Sequence, residues 1–243
     1  MNRTLRREIR LIHDTFSSDW IDPWRPIGHM IPRDPSGSAW SDSSLDAAGG
    51  FSYELGFWWY LKWPENIRQH TLKFVASNKD GNLVTINALE YASLIINYIA
   101  ATHVLVHVWP STADPHPTVL LYADNTAAES WMKKASTSSE GGRALGYIQA
   151  ALMINNPVGI SVDRVSTTDN VVADRISRVH SEANLASEMI TLCQEFPQLR
   201  SCQRFLPSAE LTSLILETLS TKQYVDPLLA SRRVLASPGR IIT

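Results

Sequence analysis

Val119-Leu120-Leu121-Tyr122-Ala123-Asp124-Asn125 is an apolar run that ends on a carboxylate and passes directly into a helical pattern. The run predicts a buried strand. An ionised Asp at its end costs desolvation free energy unless a metal, a base or a hydrogen-bond donor compensates it. Asp124 therefore has two readings. It caps the helix that follows, a role both Asp and Asn fill well, or it belongs to a set of groups gathered at the C-terminal edge of the strand.

Upstream of this strand, Leu89, Ala92, Ile95, Ile96 and Ile99 recur at helical spacing from Asn87. Short extended runs are expected at Ala39–Ser44, within the aromatic stretch Phe51–Leu61, at Leu83–Ile86 and at Val104–Val108, with Gly49-Gly50 and Asp80-Gly81-Asn82 as turns. Downstream, helices are expected over Thr126–Ala135 and Arg143–Ile154, then a strand at Ile160–Val165 and a helix containing Asp174. The order is three strands, a helix, two strands, helices, a strand and a helix. It predicts an α/β fold, a mixed sheet with an antiparallel start and helices packed on its faces.

Outside this region, residues 1 to about 20 predict an amphipathic helix with Leu5, Ile9, Ile12 and Phe16 on one side and arginines on the others. Pro23, Pro26, Pro32 and Pro35 mark a connector. The expected organisation is an N-terminal helix and connector over 1–37, an α/β domain over 38–180 and a helical C-terminal extension over 181–243.

At 243 residues the chain fits one large domain or one domain with extensions, and 44% apolar residues suffice for a sizeable core. Lys plus Arg total 22 against 24 for Asp plus Glu, so no basic excess announces a nucleic-acid partner, although binding depends on where charge lies. Cys193 and Cys202 fit neither a disulfide framework nor a zinc site, which suggests a reducing compartment. The charged N-terminus is unlike a signal peptide and no apolar run reads as a membrane span. A soluble intracellular protein, cytoplasmic or nuclear and without a membrane partner, is expected.

Four acids occupy matching contexts: Asp42 at a strand end, Glu90 in the first turn of a helix, Asp124 at a strand end and Asp174 in a late helix. Each has an ordinary explanation alone; an acid such as Glu90 is favoured in a first helical turn by the helix dipole. Gathered at one sheet edge, four carboxylates repel, and hard divalent cations that prefer oxygen ligands resolve the repulsion. Other candidates are weaker. His103 and His107 lie in an extended pattern, which does not suggest a zinc pair. Trp58, Trp59 and Trp63 fit a packed strand face as well as a stacking surface, and Lys133, Lys134 and Arg143 fit a solvated face as well as phosphate contacts.

Trp40-Ser41-Asp42-Ser43-Ser44, Ile86-Asn87-Ala88-Leu89-Glu90, Leu121-Tyr122-Ala123-Asp124-Asn125 and Asn170-Val171-Val172-Ala173-Asp174-Arg175-Ile176-Ser177-Arg178 resemble, in order, the four acidic motifs of the ribonuclease H domain of retroelement reverse transcriptases. The last is the most specific, and the likeness covers about residues 38 to 180. The resemblance implies a ribonuclease H-like mixed five-stranded sheet and cleavage of the RNA strand of an RNA/DNA hybrid. It implies two magnesium ions, replaceable by manganese, on Asp42, Glu90, Asp124 and Asp174, with Asp42 bridging both. Ser43, Asn125, Arg164 and Asn170 are the expected substrate contacts, and a reverse transcriptase polymerase domain is an expected partner. Many members of that family carry a histidine six positions before the Asn of the last motif; Arg164 stands there, and arginine cannot shuttle a proton. A nuclease-dead binding or scaffold module with the same fold is the alternative. A DNA-cutting relative such as an integrase is a third reading, opposed by the Asn-x-x-Ala-Asp motif.

Overall fold

The computed structural model describes residues 34–77, 84–108, 116–134, 137, 139–221 and 227–242, together with Arg6, Ile9 and His13. Most of the expected N-terminal helix and connector lies outside these residues; Arg6, Ile9 and His13 are helical and exposed.

Strand β1 (Gly37–Ser43) pairs antiparallel with β2 (Ala47–Ser52), and β2 with β3 (Phe57–Lys62). Gly56, at φ 67, makes the second turn in a backbone region that side chains disfavour. Helices α1 (Glu65–Ser77) and α2 (Ile86–His103) follow. Strand β4 (Thr118–Ala123) then joins β1 in parallel, on the side away from β2. Next come α3 (Thr126–Lys134), α4 (Glu140–Asn155) and β5 (Gly159–Arg164), the last parallel to β4. The chain continues through α5 (Val171–Ser177) and α6 (Glu182–Glu195) to β6 (Gln203–Pro207), and through α7 (Ala209–Thr221) and α8 (Pro227–Ala236) to β7 (Gly239–Ile242). The sheet is mixed and seven-stranded, ordered β5-β4-β1-β2-β3-β6-β7.

Alternation along the strands divides the core in two, because successive side chains leave opposite faces of a sheet. Ala39, Ala48 and Trp59 join the larger core with α2, α4 and α7, whereas Ala47, Phe51 and Tyr60 join the smaller one with α5 and α6.

Several expectations are corrected. Gly49-Gly50 is not a turn but lies inside β2, opposite Asp42 and Ser41 of β1, while the expected Asp80-Gly81-Asn82 turn lies outside the described residues. Leu83–Ile86 is not a strand over its described part: Thr85 caps α2, its Oγ1 accepting the Ala88 N–H at 3.1 Å, and Ile86 is the first helical residue. Val104–Val108 is not a strand but a π-helical turn that prolongs α2, with the Val104 N–H donating to the carbonyls of Ala100 and Ala101. Val104 and Leu105 bury in the larger core there, so packing overrides the strand preference of a Val-rich run. The expected helical extension after residue 180 also contributes β6 and β7 to the sheet and side chains to both cores, which raises the strand count from five to seven.

The combined run Ile86–Val108 is 23 residues long and apolar enough to cross a membrane by length and composition, contrary to the sequence expectation; 78% of its apolar window is buried inside the protein, the position of a central core helix.

Candidate metal centre

The centre is built where two strands end and a helix begins at one edge of the sheet. Asp42 is the penultimate residue of β1, opposite Gly49 of β2. Asp124 follows the last residue of β4, the parallel neighbour of β1. Glu90 lies one turn into α2, which packs along β1. Carboxylate oxygens of Asp42, Glu90 and Asp124 meet within 4.8 Å of one another. Asp42 and Glu90 are each only 5% exposed, whereas Asp124 is half-buried.

Asp124 is not the helix cap. Asn125 takes that role, its Oδ1 accepting the N–H groups of Ala127 and Ala128 at 3.0 Å each while its amide donates to Asn87 Oδ1. The Asp124 carboxylate is left to face the other acids, and it accepts one hydrogen bond from the Thr167 hydroxyl at 3.0 Å.

Burial and mutual repulsion set the protonation of this group. Desolvation lifts the Asp42 carboxyl to about 6, opposed by a hydrogen bond from Ser177 and reinforced by the charges of Asp124 and Asp174. Glu90 is pushed well above the usual carboxylate range, first by burial and then by Asp42 and Asp124, with only the Ser43 backbone N–H acting against this. Glu90 Oε2 is buried and has no hydrogen-bond partner among the described residues. A desolvated carboxylate with one orphaned oxygen, meeting two further carboxylates, fits a divalent cation, which supplies a partner and cancels the repulsion.

Protons and a cation compete for the same oxygens. The gain in Tm on adding Mg2+ is therefore expected to be larger at about pH 8 than at about pH 5. Differential scanning fluorimetry at the two pH values measures it, and equal gains would exclude these carboxylates as the ligands.

Asp174 is not among the oxygens that meet within 4.8 Å. It lies on α5, close enough to raise both Asp42 and Glu90. Both its oxygens are engaged by Arg178, at 2.8 Å from Nε to each and 2.6 Å from Nη2 to Oδ1.

The rest of the last motif fastens α5 to the sheet. Ser177 donates to Asp42 Oδ2 at 2.5 Å, and its carbonyl accepts the Ser44 hydroxyl at 2.6 Å. Asn170, fully buried, donates from Nδ2 to the Ser41 carbonyl, and Tyr60 donates to the Val179 carbonyl. Ile176 packs so closely on Gly49 that a Cβ there would overlap its side chain. Asn170 is thus a structural tie between α5 and β1, with its Oδ1 unpartnered among the described residues.

Of the other expected substrate contacts, Ser43 is 5% exposed and its hydroxyl accepts the Trp63 indole N–H at 3.1 Å. Arg164 is exposed at the end of β5, beside Ala123 of β4 and hence at the same edge as Asp124. Trp59 and Trp63 are core residues, with Trp59 Nε1 donating to Asn97, and the Arg204 guanidinium lies 5.3 Å above the Trp58 ring. Lys133 pairs with Glu129 at 2.7 Å. His103 and His107 are four residues apart on a continuous helical stretch, contrary to the extended reading, with ring centroids 5.3 Å apart and His103 also against Phe205.

Sequence reasoning did not single out Thr167 or the separate tasks of Ser177 and Arg178. Thr167 sits in a polar loop with no pattern to mark it. Ser177 and Arg178 fall three and four residues after Asp174, the spacing that places side chains on one helix face. Compared with known proteins, the chain matches no family description, no characterised protein and no solved structure.

Proposed function

We propose that the chain is a metal-dependent nuclease of the ribonuclease H type, cleaving the RNA strand of RNA/DNA hybrids as part of a retroelement. The observation that carries this reading is the meeting of Asp42, Glu90 and Asp124 within 4.8 Å, with a buried Glu90 oxygen lacking a partner. Two features support it. The strand order β5-β4-β1-β2-β3 within the larger sheet suits the mixed five-stranded core that the motif resemblance implies. The Asn-x-x-Ala-Asp-x-Ile-Ser-Arg segment contacts β1 through Asn170 and Ser177, at and beside Asp42.

Magnesium ions in such a site supply a polarised water as nucleophile and charge stabilisation for the leaving oxygen. Asp42, Glu90 and Asp124 would hold and orient them, with Ser177 fixing one Asp42 oxygen and Thr167 one Asp124 oxygen. Arg164, exposed at the same edge, would contact a phosphate, and RNA would be told from DNA by 2′-hydroxyl contacts rather than by base sequence. A reverse transcriptase polymerase domain would be the natural partner.

A second reading keeps the fold and loses the chemistry. It is favoured by Arg164 in place of the family's loop histidine, and by the engagement of Asp174 with Arg178. One assay separates the two. Full-length protein with Mg2+ or Mn2+ is expected to cut the RNA strand of an end-labelled hybrid and to leave the matching DNA duplex intact. Cutting of the duplex would point to the integrase-like reading, and hybrid binding without cutting to the binding module.

A further inference from the structure

Arg178 and Asp174 form a closed unit at the open end of the site. The guanidinium makes its three hydrogen bonds to Asp174 alone among the described residues, and it occupies both carboxylate oxygens. The partners differ in freedom. The Asp174 side chain is 24% exposed on a helix fastened to β1, whereas that of Arg178 is 66% exposed at the helix end, with solvent to swing into. The neighbouring Arg175 cannot substitute for it, being paired with Glu188 at 2.6 Å and Glu195 at 2.5 Å.

The four acids are therefore not equivalent. Three have oxygens that already converge, one of them without a partner. The fourth carries a cation of the protein's own. A divalent ion entering among Asp42, Glu90 and Asp124 meets neutral donors, the Ser177 and Thr167 hydroxyls and the Ser43 N–H, and has no cationic side chain of the protein to displace among the described residues. An ion that needs Asp174 must first displace a two-toothed guanidinium, a charge-assisted contact of the strong kind.

We propose that Arg178 is a resident counter-ion that keeps Asp174 out of the metal set, so that the site loads one divalent cation readily and a second only when Arg178 swings away. This rests on the reading of Asp42, Glu90 and Asp124 as a cation site. It assigns Arg178 the control of occupancy. A polyanionic substrate offers Arg178 a phosphate in exchange for Asp174, which would couple loading of the second ion to arrival of the nucleic acid.

The test counts ions rather than cleavage. Mn2+ uptake by full-length protein is followed through the paramagnetic resonance of the free ion, in wild type, Arg178→Gln and Arg178→Lys. Wild type is expected to take one Mn2+ tightly and a second weakly. In Arg178→Gln the second should tighten roughly tenfold, the factor a charge-assisted contact of ordinary strength supplies, with the first unchanged. Arg178→Lys retains charge and stem without the fork and should lie between the two, so it decides the matter if the Gln variant folds poorly. Adding Asp174→Asn to either variant should abolish the gain. A second ion whose affinity ignores residue 178 would overturn the proposal and leave the three-carboxylate site standing. Absence of Mn2+ uptake in every protein would overturn that site as well.

Discussion

Asp42→Asn is expected to raise the stability of the metal-free protein by about 3 kcal/mol near neutral pH and to abolish both cation binding and hybrid cleavage. The stability term follows from the carboxyl's rise from an ordinary 3.8 to about 6 on folding. The folded state holds this proton where the unfolded state has released it, so stability falls as pH rises through that interval. Below about pH 4 both states are protonated and the cost is absent; above about pH 6 it is fully present. Asparagine keeps the shape of the side chain and an oxygen for the Ser177 hydroxyl but never ionises. Urea unfolding of both proteins across this range should show the wild-type midpoint falling towards that interval's upper end and a flatter curve for the variant. Saturating Mg2+ should restore wild type alone. A variant less stable than wild type near neutral pH would mean that Asp42 is held by contacts stronger than its burial is costly.

Gly50→Ala is expected to destabilise the protein by about 3–4 kcal/mol, although replacing Gly by Ala in a strand ordinarily helps by about 0.5–1 kcal/mol. A Cβ on Gly50 would lie 2.5 Å from Trp59 Nε1, 2.7 Å from the Trp40 carbonyl oxygen and 2.9 Å from Asn97 Oδ1. The backbone carbonyl cannot give way without breaking the β1–β2 ladder, in which Gly50 is paired with Ser41. The remaining relief is to part Trp59 from Asn97, a buried hydrogen bond of 2.9 Å. Overpacking costs about 1–3 kcal/mol and leaving a buried donor and acceptor unpaired adds a comparable amount, so the steric term outweighs the backbone gain. The midpoint of urea unfolding measures this. Because Ser41 directly precedes Asp42, a weakened response to Mg2+ should accompany the loss.

How far the fold was legible depends on how local its causes are. β4 and β5 were readable from apolar residues followed by a helix or loop signal, whereas β1, Gly-Ser-Ala-Trp-Ser-Asp-Ser, was readable only as a short extended run ending on an acid. The motif at Asn170–Arg178 was readable as a motif, yet its work lies in contacts such as Ser177 to Asp42 that span 135 residues of sequence. Asp124 and Asn125 were ambiguous because either residue type can cap a helix, and only the hydrogen bonds to Ala127 and Ala128 separate them. Val104–Val108 misled because Val104 and Leu105 bury in, and Val106 packs against, a core that accepts them on a helix, while Val108 stays exposed. β6 and β7 were missed because four or five residues with a proline or a charge carry little periodicity. They are strands by virtue of partners elsewhere in the chain. Of the site, the three converging acids were identifiable from strand ends and a helix start, whereas the separate state of Asp174 depends on which neighbour its side chain finds.

The pairing of β6 with β3, Phe57 opposite Gln203 and Trp58 opposite Arg204, has a consequence for where this protein can be divided. Every acid of the proposed site precedes residue 180, and a gene fragment ending there would contain them all. That fragment would bare the edge of β3 as an unpaired row of amides and carbonyls, beside apolar surface that Leu185, Met189, Leu192, Phe205 and Leu211 now cover. Open edges of this kind recruit other strands. The smallest piece holding the proposed site and the smallest piece able to fold cleanly are thus different lengths of the same chain.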